Sequence, residues 1–539
     1  MLSLFAWAPL LYPGYLQVHS GFLPVFRTAE LAATADKLRW LPTLGATLDP
    51  WRGDGPLPYW LALVLRPLAG EVAAVKGVLA LSILALGVGT LRWVRQALAA
   101  ASAPPEVADG AGLLAAAVVM LWPPLLATVY LRGALAEAVL LALLPWALGA
   151  VSATRSRSWR YAAVAAAALT AALYWTQAGL ALWTTGLLLA WSLWPRAERG
   201  NRRLAALAVV AGAVVGGGAL WLVHGRAAAD APALDVAAHA VYPYQLLIAD
   251  WRFALSTPDW KNELPLQLGL AALSLAALTT VLAWGGRPTE AHVSSLRPAL
   301  GFALLAVAAL AVVSTTAARF LWRGVPAMAA TVTYPWQILG LAGPWLALLA
   351  AALPAVERRL AILPALAAAV ALTVLSSYPY LAPRFTQVLP DDAARPALFD
   401  GGRVTLVRAR VGAEALAEQG PVTSKAEAVE AQPVAEEGLP VSLAWQALQP
   451  AEFDYNVFIH ALDAQGNRVA QWDGQPLRGE EAAPMTTWQV GEVVVGLYRV
   501  PVDPAGPPVR ALHVGLYNWQ SGQRLPVGND DKVVLEVAP

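Results

Sequence analysis

Apolar residues run in long unbroken stretches over the first 380 positions and in short alternating stretches over the last 140. A helix needs about 20 mostly apolar residues to cross a bilayer. Runs of that kind predict spans at 2–16, 72–95, 111–130, 134–153, 161–175, 178–194, 204–223, 266–284, 298–317, 336–353 and 360–378, about eleven in all. The run 57–68 is too short to cross and predicts a helix lying at the outer face. After position 400 the period changes to two. Segments 404–410, 441–447, 456–462, 469–472, 493–500, 511–517 and 533–537 predict strands. Turn residues such as Asp463-Ala-Gln-Gly466 separate them. The fold class expected is mainly α integral membrane, followed by an all-β sandwich. The domains expected are 1–380, with an outer-face loop at 17–60, a linker at 381–400, and a β-domain at 401–539 in which 414–437 is a loop insertion.

Short loops orient the spans, because cytoplasmic ones carry the excess of Lys and Arg. Arg92 and Arg95, then Arg155, Arg157 and Arg160, then Arg196, Arg199, Arg202 and Arg203, then Arg287 and Arg297, then Arg358 and Arg359 fall on one side. That side is expected to be the cytoplasm. Asp54, Asp259 and Gly466 are then expected outside, with the C-terminal domain extracytoplasmic.

Composition sharpens this picture. Of 539 residues 58% are hydrophobic and 14% charged, against roughly 25% charged in an average soluble domain. From Asp400 onward there are 10 Lys/Arg and 18 Asp/Glu, so the net charge of +1 hides a basic first part and an acidic last part. There is no cysteine, which removes disulfides, thiolate metal sites and a Cys nucleophile. The six His show no metal-hydrolase spacing. No nucleic-acid partner is expected.

The first long polar interruption lies at 19–60 and holds Arg27, Glu30, Asp36, Lys37, Arg39, Asp49, Arg52 and Asp54. Three further stretches stand out: Pro56-Leu-Pro-Tyr59-Trp60, Tyr130-Leu-Arg132-Gly133-Ala-Leu-Ala-Glu137 running on to Pro145-Trp146, and Tyr334-Pro-Trp336-Gln337. With His19-Ser20-Gly21 and Arg39-Trp40, these resemble the bacterial multi-pass glycosyltransferases of the GT-C type, in particular large membrane proteins described as 6-pyruvoyl-tetrahydropterin synthase-related or dolichyl-phosphate-mannose-type transferases. The resemblance covers most of the chain. It implies a polyprenyl-phosphate sugar donor and chemistry at the outer membrane face, with a glycan, envelope or protein acceptor. The family has an acid after the His aligned with His19, where this chain has Ser20. It has Arg after the Pro-Trp pair, where this chain has Gln337.

A transferred sugar needs a base for the acceptor hydroxyl. Asp54, Asp49 and Glu30 are the candidates that replace the missing acid. Asp49 and Asp54 would equally hold a divalent cation such as Mg or Mn at a donor pyrophosphate, or simply close turns. Arg27, Arg39, Arg52, Lys76, Arg132 and Arg323 are candidates for the donor phosphate. Snorkelling and headgroup contact compete with that role. Arg132 and Glu137 are spaced to pair across a helix start, as a clamp between two spans or as part of the site. Two functions stay open: a GT-C-type glycosyltransferase, and a catalytically inactive scaffold or assembly subunit of a membrane complex. A transporter is a weaker third, because charge is almost absent in mid-span.

Overall fold

The computed structural model describes residues 2–40, 42, 53–154, 159–195, 201–224, 235–248, 250–258, 260, 262–285, 291–417 and 438–537. The chain forms two compact units. One comprises 1–12 and 34–383, the other 13–33 and 384–539. The second unit is therefore discontinuous in sequence, and residues 13–33 do not belong with the membrane helices as the expected boundaries had them.

Among the described residues of the membrane unit, six helices are long and apolar enough to cross a membrane: Leu57–Ala100, Leu135–Ala153, Arg202–Val223, His292–Ser314, Pro335–Val356 and Leu363–Leu381. A seventh is counted if the pair Pro105–Met120 and Pro123–Arg132, bent by 41°, is one span. Arg160–Tyr174, Ala178–Leu193 and Leu270–Trp284 are apolar but shorter. The chain is thus a multi-pass membrane protein, while the count of eleven is not reproduced. The run 2–16 departs most. Its helix Leu2–Trp7 gives way to a 3-10 turn at Ala8–Leu11, with Pro9 near the start of that turn. Proline supplies no N–H to continue a helix. The bend after Met120 has the same origin, since Pro123 and Pro124 follow directly.

Leu57–Ala100 is one helix in name and two in geometry. Gly70 leaves helical space at φ 79 and ψ 177, three residues after Pro67. Arg66 and Glu71 pair across the break at 2.5 Å. The piece before it exposes Leu61, Val64 and Leu68. By contrast Pro335–Val356 is buried almost throughout. A helix apolar on all sides belongs in the interior. Its Trp345 meets Trp93, Trp191 and Phe302 at ring distances of 5.2, 5.2 and 4.9 Å. Such edge-on and tilted contacts fix how the helices pack.

The other unit contains strands β1 (Tyr15–Leu16), β2 (Phe385–Thr386), β3 (Ala397–Phe399), β4 (Val404–Val411), β5 (Leu439–Ala447), β6 (Asn456–Leu462), β7 (Arg468–Gly474), β8 (Leu477–Arg478), β9 (Glu481–Ala482), β10 (Val493–Val500), β11 (Ala511–Tyr517) and β12 (Val533–Glu536). Two four-stranded antiparallel sheets, ordered β10-β5-β4-β3 and β12-β11-β6-β7, share one core. Val441, Leu443 and Trp445 meet it from one sheet, and Val457, Ile459, Leu512 and Val514 from the other. The expected linker is not featureless: it supplies β2 and β3. Most of the expected insertion at 414–437 lies outside the described residues, and Ala413–Ala417 forms a short helix.

Residues 13–33 are tied into this unit through backbone. β1 pairs with β2, Tyr15 opposite Thr386. Gln446, wholly buried, accepts from the Phe22 N–H at 2.9 Å and donates to the Gly491 carbonyl at 3.2 Å. Gly491 sits at φ +83, and a Cβ there would lie 1.8 Å from the Val18 carbonyl oxygen. Only glycine permits that approach.

The 528–532 turn yields a test of local electrostatics. The Lys532 ammonium and the Asp531 backbone N–H both donate to Asp530 at 2.8 Å, and hold its carboxyl down to about 2. The folded value is depressed, so its contribution to stability is complete above the ordinary carboxylate range. It is lost as pH falls through about 2. NMR titration of 13C-labelled aspartate should place Asp530 there in the wild type and nearer the ordinary value in Lys532→Met. An unchanged midpoint in the variant would remove Lys532 as the cause.

Candidate active site

The stretch Thr128–Arg132 is a π-turn, closed by Gly133 in the left-handed region at φ 62. Pro123 and Pro124 precede it, and Leu135 begins the next helix. This break turns Arg132 back on Glu137. The guanidinium meets both carboxylate oxygens, with Nη2 donating to Oε1 at 2.6 Å. The side chains are 14% and 7% exposed. Gln337 completes the arrangement. Its Nε2 donates to Glu137 Oε1 at 2.5 Å. Its own Oε1 accepts from the backbone N–H groups of Thr333 and Tyr334 at 2.8 and 2.9 Å. An arginine in that position has no acceptor and could not cap the turn in this way.

An aromatic wall stands against the pair. Arg132 Cζ lies 4.5 Å from the centre of the Trp336 ring. Tyr334 stacks on Trp336 at 5.0 Å with the rings 8° apart. A cation over a desolvated indole is stabilised by about 2 kcal/mol. Trp336 Nε1 donates to Ser256 Oγ at 3.0 Å, and the same hydroxyl shares a hydrogen bond with Nδ1 of His239 at 3.1 Å. The His239 ring meets Tyr334 edge-on at 5.0 Å. Burial pushes the Tyr334 phenol up from its ordinary value, and the Arg132 charge pulls the other way. The phenol therefore remains a hydrogen-bond donor at neutral pH.

A second polar position lies at the head of the Leu57–Ala100 helix. Tyr59, fully buried, donates its phenol proton to Asp54 Oδ2 at 2.6 Å. Trp40 packs edge-on against Tyr59 at 5.4 Å. Gly55 N–H donates to the Thr176 carbonyl at 2.6 Å, and Leu57 N–H to that of Trp175 at 2.9 Å. A Cβ on Gly55 would lie 2.4 Å from the Trp175 carbonyl oxygen, so close approach of two backbones sets where Asp54 stands.

The remaining sequence candidates fall elsewhere. Asp49 and Arg52 lie outside the described residues. Arg27, buried, and Glu30, half-buried, are on the helix Leu23–Ala33, which belongs to the β unit. Arg39 is 78% exposed and pairs with Asp36 at 3.8 Å. Arg323, also exposed, pairs with Asp235 at 3.6 Å. Lys76 is buried and donates to the Tyr12 carbonyl. Of the predicted set, the structure joins Arg132 to Glu137, while Arg39 and Arg323 meet acids outside that set. Ser256 and His239 went unread as site residues. His239 had no spacing partner, and Ser256 no signal of any kind. The Tyr-Pro-Trp-Gln sequence was the available pointer to Tyr334, Trp336 and Gln337.

No family model matches the sequence, and no curated protein matches it. Among solved structures the chain is similar to ArnT from Cupriavidus metallidurans, crystallised with undecaprenyl phosphate bound. The TM-score is 0.44 and the identity 15%, over 70% of this chain and 75% of that one. This is a similarity of chain course, and no residue role is carried over from it.

Proposed function

We propose that the chain is a membrane glycosyltransferase of the GT-C type, moving a sugar from a polyprenyl-phosphate donor to a glycan, envelope or protein acceptor at the outer membrane face. The observation that carries this reading is the buried Arg132–Glu137–Gln337 cluster with its Trp336–Tyr334 wall. Charge among apolar helices is costly, and where it persists it marks a functional position by default. Two stretches that carry the family resemblance, 130–146 and 334–337, build it together. Arg132 turns two of its five N–H groups to Glu137. The others are available to the oxygens of a donor phosphate.

In the transfer, the acceptor oxygen bonds to the anomeric carbon as the bond from that carbon to the phosphate oxygen breaks. The phosphate leaves with its electron pair, and the acceptor proton passes to a carboxylate. Asp54 is the carboxylate assigned here, held by Tyr59. Among the described residues no group of three or more His, Asp or Glu could hold a metal ion, and no step is routed through one. Nothing in the cluster speaks for pterin chemistry.

The second reading, an inactive scaffold or assembly subunit, draws on Ser20 at the aligned acid position and on Glu137 being already held from two sides. The test is transfer itself. The full chain in nanodiscs, given radiolabelled polyprenyl-phosphate sugars and a membrane extract as acceptor, should move label into the acceptor. Stable co-purifying subunits without transfer would favour the scaffold.

The proposed orientation has its own check. Because the chain has no cysteine, single ones report cleanly. Gln465→Cys, beside Gly466 in an exposed turn, should react with an impermeant thiol reagent on intact cells, and Arg358→Cys should not. The reverse pattern would invert the topology.

A further inference from the structure

The outward face of the β12-β11-β6-β7 sheet carries a hollow of about 420 Å³. Along β6, Val457, Ile459 and Ala461 enter the core, so Phe458 and His460 face outward. Asp473 stands opposite Phe458 and Gln471 opposite His460 on β7. Strict alternation would turn Arg468 away from these two. The register shifts between Ala461 and Leu462, where Arg468 comes opposite Leu462. A bulge of that kind re-aims a side chain. It brings Arg468, Gln471 and Asp473 to one wall.

The facing wall is built by β11 and the turn after it. Gly515 opens a space in β11 that the Phe458 ring fills; a Cβ there would lie 2.5 Å from that ring. Arg524 Cζ lies over Phe458, 4.4 Å from the ring centre, and the guanidinium pairs with Asp531 at 3.0 Å. Tyr517 stands beside it, 6.4 Å from Phe458 between ring centres. Arg468 and Asp473 face the same hollow without an ion-pair partner among the described residues, at opposite ends of β7.

We propose that this hollow is a saccharide-binding site. Its size falls in the range of small-molecule sites. An anion would meet Asp473, and a cation would meet two guanidiniums. A neutral polyol uses both, because each hydroxyl donates and accepts. Planar carboxylate, amide and guanidinium groups match pairs of neighbouring hydroxyls, and the half-buried Tyr517 ring supplies an apolar face. Burial lowers the His460 imidazole, with Arg468 and Arg524 adding to the effect against Asp473. A neutral imidazole offers one donor and one acceptor. The site lies in the β unit and does not rest on the transfer reading.

The test is calorimetric titration of the full chain in nanodiscs with the neutral oligosaccharides cellohexaose, chitohexaose and xylohexaose, with inorganic phosphate alongside. At least one oligosaccharide should bind saturably. That binding should weaken tenfold or more in Gln471→Ala and Asp473→Ala, whose side chains are exposed, with the unfolding transition unchanged. Gln465→Ala, in the turn beyond the hollow, should bind as the wild type does. Binding of phosphate alone, of none of the probes, or of a sugar that ignores both substitutions would each overturn the proposal.

Discussion

Glu137→Leu should destabilise the membrane unit by about 3–5 kcal/mol, the cost of breaking a buried ion pair from one side. The substitution removes the partner of Arg132 and leaves that charge 14% exposed. It also removes the acceptor of Gln337 Nε2. Arg132→Met should cost a similar amount, because it strands the carboxylate instead. The double variant should recover much of the loss, since an apolar pair of similar volume needs no counter-charge. What remains is one unpaired amide N–H on Gln337, worth about 1–3 kcal/mol. Unfolding in mixed micelles as the denaturing detergent is raised gives all three values and their coupling. Singles costing under about 1 kcal/mol, or a double no better than the worse single, would mean the pair is not buried as described.

The second large effect concerns Asp54. If it takes the acceptor proton, Asp54→Asn should lower the transfer rate by about 10²–10⁴-fold and leave folding and donor binding nearly unchanged. Tyr59→Phe should lower the rate less, because it removes the hydroxyl that fixes the carboxylate and not the carboxylate itself. Gly55→Ala should behave like a misplaced Asp54. The added methyl would press on the Trp175 carbonyl and shift the acid without changing its chemistry. Equal transfer by wild type and Asp54→Asn would remove this acid from the mechanism. Asp49 and Glu30 would then be the carboxylates left to test.

What the sequence disclosed follows from how local each signal is. Strands 456–462, 493–500 and 511–517 are found at their expected bounds, because alternation and turn residues are written within a few positions. The break at Gly70 was legible for the same reason. β1, β2 and β3 were not, since two- or three-residue pairings take their register from chain far away. Residues 23–33 read as part of the outer-face loop of the membrane portion, because a polar interruption between apolar runs does not say which unit it packs with. Arg132 and Glu137 were found by spacing. Gln337 looked like a lost charge, and its role emerges only where a carbonyl that caps a turn and an amide that holds Glu137 belong to one side chain.

The discontinuity of the β unit governs the order in which the protein can be made. Phe22 N–H must wait for Gln446, 424 residues downstream. At about 5–20 residues per second a ribosome takes roughly 20–85 s to deliver it. Throughout that interval the segment 13–33 has been synthesised, with Tyr15, Phe22 and Phe26 still lacking their final surroundings. For the same reason a fragment starting at Arg384 would be born with an open β2 edge and no partner for Gln446, and should aggregate where the intact chain does not.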